Sequence, residues 1–341
     1  MIYTEWDKLE EVIVGKTYLP EVLSGRFHDN EFIDGMSKIL EETEEDFLKL
    51  VNIFESAGVK VYRPKDLPLQ LETTRTWTSR FPYPAICPRD FHIAYGDTIL
   101  STIGGDPNRY TESDYFLDIM LEKYKEGRNY ISMPKPLLTS EYRPYEHLEG
   151  QILYHSACFL KAGDTILHTM PYDDELYGRG TKTGLEWVKR NIGRDVKWVE
   201  IPTVGHADGR LALLKPGLLM CYHKKHIPEA LSNWTVIQTK RKPMPEYFDH
   251  LKGQFFYKET VHDWLSHWIG YVDETVFDLN VISIDENTVI TNGYDAEVYK
   301  QLKANGIEGI PFDFRHKYFW DSGLHCVTLD LKRKGEPGSY V

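Results

Sequence analysis

The chain has 341 residues, 41% of them hydrophobic and 13% aromatic, enough for one large core or two ordinary ones. Its 52 acidic residues against 40 basic ones leave a net charge of −12, which excludes the electrostatic footprint that phosphate backbones require, so nucleic acid is not expected as a partner. MIYTEWDKLEEV at the start has no apolar signal region and no long apolar run follows, while Cys87, Cys158, Cys221 and Cys326 stand far apart without a CxxC pair; the expectation is a cytoplasmic protein with free thiols and no membrane partner.

The first strand expected is EEVIVGKTY, residues 10–18. A helix follows in which Phe47, Leu50, Val51 and Phe54 share a face, with Gly58 as its stop and VKVYRP as the strand after it. DFHIAYGDTIL (90–100) reads as a β-hairpin, then a helix around Phe116, Ile119 and Met120, then the strand EGRNYISMPKP. The theme repeats in CFLKAGDTIL (158–167), a helix around Leu185, Val188 and Ile192, and IGRDVKWVEIP. A third hairpin, RLALLKPGLLMCY (210–222), turns at Pro216-Gly217 and leads through a short helix to LSNWTVIQTKRKP. A fourth, NVISIDENTVITNG (280–293), turns at Asp285-Glu286-Asn287 and is followed by a helix around Val298 and Leu302 and by ANGIEGIPFDF. The closing run CVTLDLKRKG pairs with EEVIVGKTY to complete a fifth hairpin, which removes exposed sheet edges.

These elements give an α/β fold of five ββαβ units around a pseudo-fivefold axis, a single domain over 1–341, with insertions at 138–150 and 243–270. No GxGxxG or Walker-type loop opens any helix, which weighs against two doubly wound domains. The basic runs Lys240-Arg241-Lys242 and Lys332-Arg333-Lys334 read as solvated strand ends.

Cys326, after a Ser322-Gly323 turn and a His, taken alone reads first as a core thiol, because free cysteine is among the most buried residue types. GHADG at 205–209, if extended, puts His206 and Asp208 on one face; both also suit turn positions that cap backbone groups. Thiol, base and carboxylate together are the ingredients of covalent catalysis. Cys221, His223 and His226 have metal-ligand spacing, but no fourth ligand is evident and Lys224 and Lys225 oppose a cation, so no metal is expected.

EWDKLEEVIVG, PRD at 88–90, MPKP at 133–136, TGLEWVKRN at 183–191, the HxD at 206–208 and SGLHCVTLDLKRKG occur in an order that resembles the glycine amidinotransferase-like enzymes of the pentein superfamily, over nearly the whole chain. The resemblance implies the pentein α/β-propeller, which agrees with the five-unit reading. It also implies Cys326 as nucleophile, His206 as general acid and base, and Asp208 and Asp90 as carboxylates that hold guanidinium and amine groups. The thiolate attacks the guanidino carbon of arginine, His206 protonates the departing ornithine, and an acceptor amine then takes the amidino group. No cofactor is required; the partners are a small guanidino donor and an amine acceptor, and a homo-oligomer stays open. A basic residue that meets the substrate carboxylate is matched most closely by Lys225.

One block departs from the pattern. Where the family carries Asp-Ala-Ala-Asp, this chain has His155-Ser156-Ala157-Cys158, so Cys158 replaces a guanidinium-binding carboxylate. A charge-assisted hydrogen bond contributes about 1.5 to 3 kcal/mol, so its loss weakens arginine binding by roughly one to two orders of magnitude unless His155 or Glu149 substitutes. DETVFDLN (273–280), where the resemblance places part of the acceptor loop, lacks the family's serine, so the acceptor is open. Two alternatives to the transferase remain: a deiminase-type hydrolase, against which LDLKRKG and MPKP weigh, and a silent binding pentein, against which the joint presence of Cys326, His206 and Asp208 weighs.

Overall fold

The computed structural model describes residues 1–24, 28, 30–66, 84–105, 109–136, 150–170, 180–240 and 275–341. Glu149, Arg241, Lys242, Asp273, Glu274 and both insertions, apart from Gly150, lie outside the described residues. The strands in chain order are β1 (Lys8–Val14), β2 (Lys60–Tyr62), β3 (His92–Tyr95), β4 (Thr98–Ser101), β5 (Asn129–Ser132), β6 (Phe159–Ala162), β7 (Thr165–Met170) and β8 (Lys197–Val204). They continue as β9 (Leu211–Lys215), β10 (Leu218–Cys221), β11 (Thr235–Gln238), β12 (Ile282–Asp285), β13 (Thr288–Asn292), β14 (Glu308–Phe312) and β15 (Thr328–Lys334).

They form five three-stranded sheets with one plan. In four of them an antiparallel hairpin is joined by a parallel third strand: β3–β4 with β5, β6–β7 with β8, β9–β10 with β11, and β12–β13 with β14. The fifth pairs β15 antiparallel to β1 and adds β2 in parallel, so the two ends of the chain meet in one sheet, as the sequence implied. A parallel return needs a crossover, and helices supply it: Asn30–Ser56, Leu117–Lys125, Lys182–Ile192 and Ala296–Ala304. The crossover from β10 to β11 differs from expectation. Two 3₁₀ turns, Lys224–His226 and Glu229–Leu231, replace the short helix, because Pro228 between them has no N–H to continue a helical ladder.

The helices bury their apolar faces against the sheets. Phe47, Leu50 and Phe54 pack with Val12, Val14 and Phe314, while Leu185 and Val188 pack with Ile166 and Tyr154. Thr181 caps the helix Lys182–Ile192 by accepting the Gly184 N–H at 3.0 Å. Gly184 then passes so close to the preceding segment that a Cβ there would fall 1.7 Å from the Leu153 carbonyl oxygen. Gly184→Ala should therefore cost about 3 kcal/mol, read as a lower denaturation midpoint in urea with unchanged slope; an unaltered midpoint would show that the helix can shift freely.

Candidate active site

In each of the five sheets, a turn immediately before the first hairpin strand carries a polar side chain. The helical turn Pro88–Phe91 precedes β3 and carries Asp90; the 3₁₀ turn Ser156–Cys158, with His155 just before it, precedes β6; Ala207–Gly209, with His206 just before it, precedes β9 and carries Asp208. Thr275–Leu279 leads through Asn280 into β12, and Cys326 stands two residues before β15. Strand pairing fixes each turn at one end, which is how residues distant in sequence are brought together.

Cys326 is 5% exposed, and its thiol donates to Asp208 Oδ2 at 3.3 Å while accepting the Asn280 side-chain N–H at 3.1 Å. Asn280 Oδ1 accepts the Cys326 backbone N–H at 3.0 Å, so one amide holds the residue at two points. Gly323 allows this approach: a Cβ there would lie 2.4 Å from that of Asn280. Asp208, 2% exposed, accepts a second bond on Oδ2 from His325 Nδ1 at 2.8 Å, and its Oδ1 is buried with no hydrogen-bond partner among the described residues. Burial, reinforced by Asp208 and then Asp90, pushes the Cys326 thiol well above its ordinary range.

The HxD segment is not extended. The Arg210 N–H bonds back to the Ala207 carbonyl at 2.9 Å, closing a turn after the left-handed Gly205. The two side chains consequently have different neighbours: Asp208 faces Cys326, whereas His206 stacks on His155, ring centroids 4.6 Å apart and 17° from parallel. Asp90, His155 and His206 offer ligand atoms within 4.8 Å of one another, the one group of three among the described residues with the donors for a metal ion. Asp90 is also paired with Arg109 at 2.8 Å; Arg109 in turn binds Glu112 at 2.6 Å and lies over the Phe91 ring.

Cys158 and Lys225, the other residues expected at the substrate, differ in exposure. Cys158 is fully buried and belongs to the apolar cluster of Tyr95, Leu100, Tyr154, Phe159 and Leu185, and its thiol donates to the Gly205 carbonyl at 3.2 Å. Lys225 sits on the exposed turn Lys224–His226 and, among the described residues, makes no hydrogen bond or ion pair with the Cys326 group.

No protein-family model matches the chain. It is 26% identical over 371 residues to the L-arginine:L-lysine amidinotransferase of Pseudomonas savastanoi pv. phaseolicola, covering 99% of this chain and 96% of that protein. Among solved structures it is similar to the inosamine-phosphate amidinotransferase StrB1 of Streptomyces griseus, with TM-score 0.75, 22% identity and coverage of 99% and 98%. It is also similar to SxtG, an amidinotransferase from Microseira wollei in the saxitoxin biosynthetic pathway, with TM-score 0.74, 24% identity and coverage of 100% and 99%. Over nearly its whole length the chain is similar to amidinotransferases, and it shares the fold of the solved ones.

The sequence reading missed Asn280, His325, Glu5 and Arg109 among the groups around Cys326 and Asp208. For Asn280 a signal existed, since it directly precedes the fourth hairpin as Cys326 precedes the closing one; Glu5 had none, because only the fold brings it to His325 at 3.2 Å. The placement of Cys158 generates a direct test. Cys158→Asp should lower stability by several kcal/mol in a thermal melt without tightening arginine binding, because it strands a charge among apolar side chains. Tighter binding at constant stability would instead place position 158 at the guanidinium.

Proposed function

We propose that the protein moves an amidino group from a guanidino donor, arginine first among the candidates, through a covalent Cys326 adduct to an amine acceptor. The observation that carries the reading is a buried thiol bonded to a carboxylate, Asp208, whose second oxygen is an unmet acceptor: a nucleophile beside a seat for a cation. The name of the Pseudomonas relative, which joins arginine and lysine, supports a guanidino donor and an amine acceptor. The reading treats residues 1–341 as one domain. Among the described residues no helix is long and apolar enough to cross a membrane.

In the resting protein the Cys326 thiol is protonated, since burial and two carboxylates oppose a thiolate. A guanidinium that binds Asp208 Oδ1 brings a positive charge beside the sulfur and offsets that opposition. The thiol proton passes to His206, the half-buried base of the cluster; the thiolate adds to the guanidino carbon, and the C–N bond to the leaving amine breaks as His206 gives that proton to the departing nitrogen. An amidino-cysteine remains. The acceptor amine then adds to the same carbon, His206 takes its proton, and sulfur leaves with the electron pair of the C–S bond.

Two outcomes follow. Protein incubated with arginine should carry one amidine group on Cys326 by intact mass and peptide mapping, and Cys326→Ser should carry none; an unlabelled Cys326 across arginine, canavanine and guanidinoacetate contradicts the assignment. In the free protein, alkylation of Cys326 by iodoacetamide should be slow at neutral pH and rise only above the ordinary thiol range. The upward shift leaves little thiolate below that range; fast labelling at pH 7 would mean that the thiol is already activated.

A further inference from the structure

His325 lies between two carboxylates. Its Nδ1 is 2.8 Å from Asp208 Oδ2 and its Nε2 is 3.2 Å from Glu5 Oε2, and all three side chains are buried. Ionised carboxylates only accept, so facing two of them the ring makes both hydrogen bonds by carrying two N–H donors, that is, as an imidazolium. Glu5 is fixed from its other side: Oε1 accepts the Lys161 backbone N–H at 3.0 Å and pairs with the Lys161 ammonium at 3.0 Å. Burial pushes the Glu5 carboxyl up, yet Lys161 and the His325 hydrogen bond outweigh it and hold the group below its ordinary range. Arg89 Nε also donates to the His325 carbonyl at 2.8 Å, so ring and backbone of this residue are both tied down.

The consequence reaches Cys326 through Asp208. An Asp side chain can rotate to offer either oxygen to any donor. Here Oδ2 is claimed by His325 and by the thiol, which leaves Oδ1 as the fixed acceptor. The imidazolium also compensates one negative charge next to a sulfur that already faces Asp208 and Asp90, with the Cys87 thiol nearby.

We infer that Glu5 and His325 are positioning residues for the reaction: Glu5 holds the His325 imidazolium, and the imidazolium sets the Asp208 carboxylate so that Oδ1 receives the donor's cation and Oδ2 does not trap the Cys326 proton. This rests on the amidino-transfer reading, and it commits to a chemical order in the relay Glu5–His325–Asp208–Cys326 that a merely structural histidine would not require.

Two amides separate the halves of the relay. Asn at 325 can place an N–H near Nδ1 and keep the bond to Asp208, whereas Gln reaches toward Nε2 and keeps the bond to Glu5. His325→Gln should raise KM for arginine about ten- to a hundredfold, and His325→Asn should raise it much less, at comparable melting temperatures. Both remove the cation, so both should slow alkylation of Cys326 by iodoacetamide several-fold at pH 8.5, and Glu5→Gln should slow it by less. Equal KM in the two amide variants with unchanged alkylation, or losses in every readout that simply follow melting temperature, would overturn the inference. The alkylation arm requires no turnover, so it reports on the relay even if no guanidino donor is processed.

Discussion

Asp208 keeps a carboxylate out of water beside the Cys326 thiol, and such a charge costs several kcal/mol to bury unless partners surround it. The surrounding structure supplies them in alternation. His325 faces Asp208, Glu5 faces His325, Lys161 bridges Glu5 to Asp330 at 3.0 and 3.2 Å, and Asp330 in turn holds Arg89 and Arg333. Arg89 closes the set by donating to the carbonyls of His325 and Thr328, on either side of Cys326 in the chain. The same buried network therefore supports one charge at the site and fixes the backbone that carries the sulfur.

Three of its members come from the two ends of the chain: Glu5 precedes β1, Asp330 and Arg333 are on β15, and those strands pair with Val12 opposite Asp330. The sheet that joins the two ends of the chain and the setting of the Cys326 thiol are thus one construction. The other four sheets contribute through equivalent positions, the turns that carry Asp90, His155, Asp208 and Asn280. A thiol, imidazoles and carboxylates are brought together because the unit is repeated, each copy presenting a polar side chain within a few residues of its first hairpin strand.

The repeat was legible in the sequence because hairpin turns and amphipathic faces are local signals. YGDTIL and AGDTIL turn at Gly96-Asp97 and Gly163-Asp164, and the Phe47, Leu50 and Phe54 face packs as its spacing implies. The site was legible in composition more than in geometry. GHADG suits an extended segment or a turn equally in sequence; the left-handed Gly205 and a local backbone bond make it a turn, which gives His206 and Asp208 different partners. Cys158, which aligns with a family carboxylate, lies on a 3₁₀ turn before β6 and is buried with Tyr154, Phe159 and Leu185, a placement that its position in the sequence does not reveal. Glu5 and His325, about as far apart in sequence as the chain allows, meet only through the pairing of its ends.

The central claim is transfer through a thiol that a bound cation activates, and product partition tests it most directly. Arginine labelled in its guanidino carbon, supplied with and without a panel of primary amines, should release ornithine in amounts that depend on the amine, with the label recovered in a matching guanidino product. Label recovered chiefly as citrulline would mean that water takes the acceptor's place, and no release of label under any amine would contradict the account altogether.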